Sequence, residues 1–504
     1  MNAQASPQPA GKSQPDLTPS QLFVDDRWIA ASIRLQRVFH QPEKWPKPVI
    51  RPDRPWEGER IHAYGTALWR AGRFHLWYAA GGRICYATST DGLHFEKPSL
   101  GLFTWKGSKD NNICLVPGMP ARADGPVAPQ PEAVYDEDIA RARLDGIGVI
   151  EDPEDSEWPL KAVFWQNPPG GHGLWAVRSR DGINWDYRPG LVLPGWHDRT
   201  DPVTTKIDGK YVMVCRPAEA VAPGRDRYLS RHAYRAESGD LIHWSAPEII
   251  AKQDLDDPPA LEVYSAQIFP YESLFLGFAE IMHNVPDRFT AQLMFSADSH
   301  RWQRVRRPAP FLDTGPAGAF DCDHVNVLSN GVIRHKNRLW IYYSGRTGSH
   351  SRSPLNTGAI GVAMLRPDGF VSLKATEREG WAATPAVEWG DLELQLNYDP
   401  RRDLNADPKH CTGAVRVEIR DPDDNPIPGF SRDECLVPTD RTARTVNAYA
   451  DKQYDEAGDD TRPEYLTVRW RHGATARQLV GRRIKLVFYV RDAHLYAFRG
   501  CPPE

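Results

Sequence analysis

The chain contains no apolar run approaching the roughly 18 residues that a membrane-spanning helix requires. It has no Cys-x-x-Cys pair and no Cys/His spacing of the kind that builds a zinc site. Neither sign of charge is in large excess, since 62 Lys and Arg stand against 66 Asp and Glu for a net charge of −4. No basic field therefore points to nucleic acid. No segment carries the sustained 3.6-residue periodicity of a strong helix. The seven cysteines, Cys85, Cys114, Cys215, Cys322, Cys411, Cys435 and Cys501, are scattered and odd in number. Cys85 and Cys215 fall inside predicted strands, where a small buried apolar side chain is the plain reading. Residues 1–20 are rich in Gln, Pro, Ser and Ala and lack the apolar core of a secretory leader. They read as a disordered tail, and with the cysteines taken as reduced the expected compartment is cytoplasmic.

What the chain does have is repetition. Five segments carry variants of one phrase, an Asp followed by Gly or a relative and then an aromatic: STDGLHF at 89–95, SRDGINW at 179–185, SGDLIHW at 238–244, SADSHRW at 296–302 and RPDGF at 366–370. Asp-Gly turns the chain at little steric cost. A short apolar strand precedes each copy: 74–78, 160–165, 211–215, 274–278 and 339–343. A third strand is visible at 83–88 and 174–178, and an innermost one at 64–69 and 325–328. Four short strands repeated five times are the writing of a five-bladed β-propeller. The trailing Trp185, Trp244 and Trp302 are expected to fill the wedges between blades, with stacking on a sugar as the other reading.

The expected organisation is all-β: a tail over 1–20, a leading segment over 21–56 that braces the propeller, the propeller over 57–375, and a β-sandwich over 380–504. The last of these rests on alternating strands at 392–396, 413–419, 465–470, 484–490 and 495–498.

A five-bladed propeller followed by a sandwich resembles the glycoside hydrolases of the fructosidase type (invertases and levanases) and the related arabinanases. The run YGTALWRAGRFHLWY from Tyr64 to Tyr78 is similar to the first fructosidase blade, and Glu151-Asp152-Pro153 stands where that family has Arg-Asp-Pro. The tail phrases at 413–419, 427–430 and 491–498 resemble its sandwich. The resemblance implies a glycan-cleaving enzyme whose substrate is an oligosaccharide or glycoside. No cofactor is expected; charge and hydropathy lead to no nucleic-acid or membrane partner, and three His with several acids could build a metal site but have no fixed spacing for one, so no metal is expected. Two family phrases are absent. Where fructosidases carry their nucleophile, this chain has RIHAYG at 60–65, and its one Glu-Cys pair, Glu434-Cys435, lies in the sandwich. A substrate other than sucrose or levan is therefore expected.

Innermost strands converge on the propeller axis, so polar residues where those strands begin are the candidates for chemistry. Each such place carries an acid. Glycosidic cleavage uses two carboxyl groups. Glu262 is the expected general acid, with Asp152 and Asp198 as base, nucleophile or substrate-orienting group; a turn or strand-capping acid is the plain alternative for each. Glu57, His62, Tyr64, Arg199, Asp201, Tyr264, Asp321, Asp323, His324, Arg346 and His350 are expected to contact substrate. The cations either pair with neighbouring acids or recognise an acidic sugar. Hydrolysis of a furanoside or of a decorated, acidic glycan leads. A non-catalytic carbohydrate-binding propeller, or a phosphorylase or lyase on the same scaffold, stands beside it.

Overall fold

The structure is a computed structural model of the chain. It describes residues 15–117, 143–167, 172–198, 200–217, 231–305, 309–350, 357–404, 412–436 and 465–503. Among them the regular structure is strand, with only short 3-10 turns besides. The chain divides into two compact units: Gln41–Leu365, and a second made of Met1–His40 with Arg366–Glu504.

The first unit is a ring of five antiparallel sheets. The first sheet pairs Ile61–Arg70, Arg73–Ala80, Arg83–Ser89 and Ile113–Leu115; the second pairs Arg143–Glu151, Leu160–Asn167, Gly173–Ser179 and Trp185–Pro194. The third is Asp201–Pro202, Tyr211–Cys215, Ala233–Ser238 and Glu248–Ala251. The fourth is Leu261–Tyr271, Leu274–His283, Arg288–Ser296 and Trp302–Arg304. The fifth runs His324–Val327, Arg338–Arg346 and Gly358–Leu365, and takes its outermost strand, Glu43–Lys44, from the start of the unit. Successive sheets are tied to one another around the ring. The Thr66 hydroxyl donates to Ile147 O, the Glu151 amide to Thr204 O, and the Ser265 hydroxyl to Asp201. Phe289 pairs in parallel with His324, and the Ser329 amide donates to Gly65 O, which joins the fifth sheet back to the first.

The turn phrase explains how the wedges between sheets are filled. In its first four copies a Ser hydroxyl bonds the Asp side chain, and that Asp accepts the amides two and three residues on, as Asp91 does from Leu93 and His94. Burial pushes the Asp91 carboxyl up, but these bonds outweigh it and hold the group at about 2. Gly92 and Gly182 follow with φ of +78° and +79°, and a Cβ on either would strike aromatic rings of the neighbouring sheet. The third and fourth copies put Leu241 and Ser299 at the same left-handed step, with φ of +66° and +61°. Trp185 packs into the cluster shared by the first and second sheets, Trp244 into that of the second and third, and Trp302 into that of the third and fourth.

The second unit is two facing sheets. One orders Gln36–Phe39, Val371–Lys374, His494–Cys501, Glu393–Asp399 and Leu466–Thr467; the other pairs Arg483–Arg491 with Gly380–Ala383 and Ala414–Arg420. Phe488 of one sheet meets Phe498 of the other with ring centroids 5.2 Å apart. The leading residues divide: Gln21–Leu22, Ala31–Ile33 and Gln36–Phe39 pair with strands of this unit, whereas Glu43–Lys44 and Ile50 pair with the propeller. The fifth turn phrase also belongs here. Asp368 is fully buried and accepts from Asn397 Nδ2 at 3.0 Å and from the Tyr465 hydroxyl. The division falls between Leu365 and Arg366 because Val371–Lys374, which follows that phrase, is a sandwich strand.

Candidate functional site

Antiparallel pairing decides which residues share the rim where the innermost strands begin. Leu261 is paired with His283, Asp201 with Val214, and His324 with Arg346. That rim therefore carries the starts of the innermost strands together with the ends of the second strands, so Arg216, Asn284 and the loop from Arg346 to His350 lie beside Asp198, Glu262 and His324.

Tyr264 is the meeting point. Its hydroxyl lies 3.2 Å from the Tyr64 hydroxyl and 3.4 Å from His350 Nε2. Its ring has the Arg216 guanidinium 4.7 Å from its centroid and the Arg231 guanidinium at 5.3 Å, both within cation–π range. Each of these arginines also grips an acid. Arg216, itself buried, donates to Asp198 at 3.0 Å and to the Tyr264 carbonyl at 3.1 Å. Arg231 donates to Glu262 at 2.6 Å, and Asn284 donates to the other oxygen of Glu262 at 3.1 Å. Tyr64 comes from the first sheet, the arginines and Asp198 from the third, Tyr264 and Glu262 from the fourth and His350 from the fifth. Tyr64 also lies close over Gly146 of the second sheet, beside the buried Asp145.

The fifth-sheet side is held by Asp287, whose carboxylate accepts from the Ser349 hydroxyl and from the His350 amide at 3.0 Å. His324 is buried, with Nε2 against the Asp287 carbonyl at 3.1 Å. Burial first, then the Arg346 charge, lowers the pKa of both His324 and His350, the latter to about 4. Both rings are neutral near pH 7. The Arg346 side chain makes no hydrogen bond or ion pair among the described residues, and its Nε is buried.

Several expected site residues are placed elsewhere. Asp152 is at the opposite rim, because Arg143–Glu151 is the innermost strand and Asp152 follows its end rather than preceding its start. It is buried against the Tyr211 hydroxyl, Lys206 at 3.0 Å and Lys161 at 3.7 Å. Burial raises its pKa, but Tyr211 and Lys206 turn the balance and lower it. Glu57 is enclosed within the first sheet by Lys97 at 2.7 Å, the Tyr78 hydroxyl at 2.6 Å and the amides of Asp53 and Arg54. Asp321 is held away from the mouth by Lys44 at 2.6 Å and the Tyr343 hydroxyl at 3.0 Å. Asp201 accepts from Ser265 at 3.0 Å and ties the third innermost strand to the fourth. Asp323 accepts the Gly348 amide at 2.6 Å and shapes the loop that carries His350. Arg199 and the side chain of His62 lie outside the described residues. The structure thus gathers Tyr64, Asp198, Glu262, Tyr264, His324, Arg346 and His350 at one rim. It adds Arg216, Arg231, Asn284 and Asp287, which sit at the ends or starts of second and third strands. The apolar run that closes at Cys215 is the sequence signal for Arg216, whereas the fourth strand continues to His283, past the run at 274–278.

No family model and no curated protein matches this chain. Solved structures do resemble it. A glycosyl hydrolase from Bacteroides ovatus is 16% identical, with 66% of this chain covering 94% of that one at a TM-score of 0.44. A beta-1,2-mannobiose phosphorylase from Listeria innocua is 13% identical, with 65% covering 97% at 0.44. The catalytic domain of an alpha-L-arabinofuranosidase from Coprinopsis cinerea is 13% identical, with 64% covering 97% at 0.41.

Proposed function

We propose that the rim around Tyr264 binds a glycan and cleaves a glycosidic bond, with Asp198 and Glu262 as the two carboxyl groups. The observation that supports this most is at Tyr264, where two arginines lie within cation–π range of one ring and each holds one acid. Two acids positioned from different sheets on one rim are what glycoside hydrolysis requires. The donors suggest the roles. Both oxygens of Glu262 accept N–H bonds, which suits a carboxylate fixed in orientation to attack the anomeric carbon or to draw a proton from water. Asp198 accepts from Arg216 through one oxygen, and its side chain is 37% exposed, so its other oxygen is the better placed to deliver a proton to the leaving group. This exchanges the roles that the sequence suggested.

A screen of glycans and aryl glycosides on the wild type, Glu262→Gln and Asp198→Asn tests the assignment. Loss of the acid spares substrates whose leaving group needs no proton, whereas loss of the base or nucleophile spares none. Asp198→Asn is expected to keep activity on dinitrophenyl glycosides and to lose it on native glycans, with Glu262→Gln inactive on both. Full turnover of native glycans by either variant removes that residue from the mechanism.

One observation favours a second reading. Arg346 has no partner among the described residues and lies beside the neutral His324 and His350, which suits an oxyanion. That oxyanion is an acidic group of the glycan or a phosphate that attacks in place of water. Turnover that depends on added phosphate, with release of a sugar phosphate, selects the phosphorylase.

A further inference from the structure

The second unit holds a cleft of about 620 Å³, within the range of small-ligand sites. It is lined by His40, Lys374, Thr376, Arg402, Asp403 and His494, all residues of this unit. A buried relay forms one wall. Ser372 is fully buried, with Oγ 2.9 Å from His40 Nε2 and 2.8 Å from His494 Nδ1. His494 Nε2 lies 3.2 Å from the carbonyl of Arg402.

The proton positions follow from what each atom can do. A carbonyl only accepts, so His494 Nε2 carries a hydrogen. Burial, partly relieved by that carbonyl, holds the His494 pKa at about 4, so near neutrality its Nδ1 is bare and accepts from the Ser372 hydroxyl. That hydroxyl has one proton, so its oxygen accepts from His40 Nε2. Burial first, then the neighbouring His494, holds the His40 pKa at about 3, and neutral His40 is left with a bare Nδ1. Nδ1 of His40 meets no donor among the described residues. The Lys374 ammonium likewise makes no hydrogen bond or ion pair among them. The cleft is therefore lined by a histidine with a bare ring nitrogen and by a lysine that makes no ion pair among the described residues, with Asp403 in the same lining. Arg402 adds a second cation, shared with Glu377 at 2.8 Å.

We propose that this cleft is a second carbohydrate site that takes an acidic sugar unit, with the ligand's carboxylate on Lys374 and a ligand hydroxyl donating to His40 Nδ1. A neutral sugar offers the donor without the charge, and sulfate offers the charge without the donor. All of its residues belong to the second unit, and the proposal does not depend on the reading of the rim.

Calorimetric titration of the full chain with glucuronate, glucose and sulfate at constant ionic strength tests it. Glucuronate is expected to bind at millimolar strength and at least about fivefold more tightly than either control. Lys374→Met is expected to reduce glucuronate to the level of glucose, and Ser372→Ala, which frees the His40 ring, to weaken it about threefold to tenfold. Lys374→Gln serves as the second variant if Lys374→Met shifts the melting temperature. Arg346→Met removes any binding of glucuronate at the propeller rim and is expected to keep the Lys374-dependent binding. Equal affinity for glucuronate and glucose, retained affinity in both Lys374 variants, loss in Arg346→Met, or no heat at about 50 mM glucuronate each overturns the proposal.

Discussion

The propeller rim and the sandwich cleft place polar groups against buried surfaces in opposite ways. At the rim Asp198 and Glu262 are each held by an arginine, so their geometry is fixed by N–H donors. In the cleft the polar wall is neutral, and two histidines with one serine satisfy each other in a chain while the nearby lysine is left without a partner among the described residues. Paired charges hold position and resist removal of either member. A neutral relay holds a tautomer and resists protonation. The two regions should therefore fail under different perturbations.

The largest effect is expected from acid. The reference pKa of 6.5 applies to His40 and His494 in the unfolded chain, against about 3 and about 4 in the folded one. Above pH 6.5 neither state takes up protons at these rings, and their full contribution to stability is present. Below it the unfolded chain binds protons that the folded chain refuses until about pH 4, so stability falls with pH, by up to about 2.7 kcal/mol per unit for two rings. Urea unfolding between pH 7 and 5 measures this. The double variant His40→Gln with His494→Gln is expected to flatten the slope, and an unchanged slope would move the acid sensitivity elsewhere, to His350 and His324 in the propeller.

Removing one member of a charged pair comes next. Lys97 lies 2.7 Å from Glu57, whose side chain is fully buried. Lys97→Met leaves that carboxylate without its cation and is expected to cost about 3–5 kcal/mol of unfolding free energy in a denaturant titration. The double change Lys97→Met with Glu57→Gln should recover most of it. At the rim, Arg231→Met is expected to lower turnover about a hundredfold by loosening Glu262, with little change in melting temperature, since Arg231 and Glu262 are 18% and 24% exposed. A melting shift as large as that of Lys97→Met would make the rim pair structural rather than positioning.

The same contrast explains what could be read from the chain. The ring was legible because its signal is local: Ser, Asp and the following amides close a turn by themselves, and Tyr211–Cys215 begins and ends where the apolar run does. The fifth phrase misled because its Asp-Gly at Asp368 makes a turn in a different environment, bound by Asn397 and Tyr465 from far along the chain. Asp152 misled for a geometric reason. An acid next to an innermost strand faces one rim or the other according to which end it adjoins, and the second innermost strand begins at Arg143, far from any turn phrase. Arg216 and Arg231 lie away from the innermost strand starts, and it is the antiparallel register that brings second-strand ends to the same rim. The histidine relay joins His40, Ser372 and His494 across more than 300 residues of sequence, and no local pattern announces it.

The smallest change probes the centre of the rim. Tyr264→Phe keeps the ring that Arg216 and Arg231 approach and removes the hydroxyl that meets Tyr64 and His350. If the ring is what holds the arginines, and through them the acids, the variant keeps its fold and its two ion pairs. The lost hydroxyl contributes about 1 kcal/mol, so the expected result is a rise in KM of about fivefold with kcat nearly unchanged. A fall in kcat as large as that of Arg231→Met would instead place the Tyr64–Tyr264–His350 chain in the proton path. The neutrality of His350, whose pKa is held at about 4 by burial and by Arg346, would then matter for its ability to accept a proton from Tyr264. The acid limb of the kcat profile distinguishes the two, because only in the second outcome does Tyr264→Phe change its position relative to the wild type; an identical acid limb in both leaves it to Glu262.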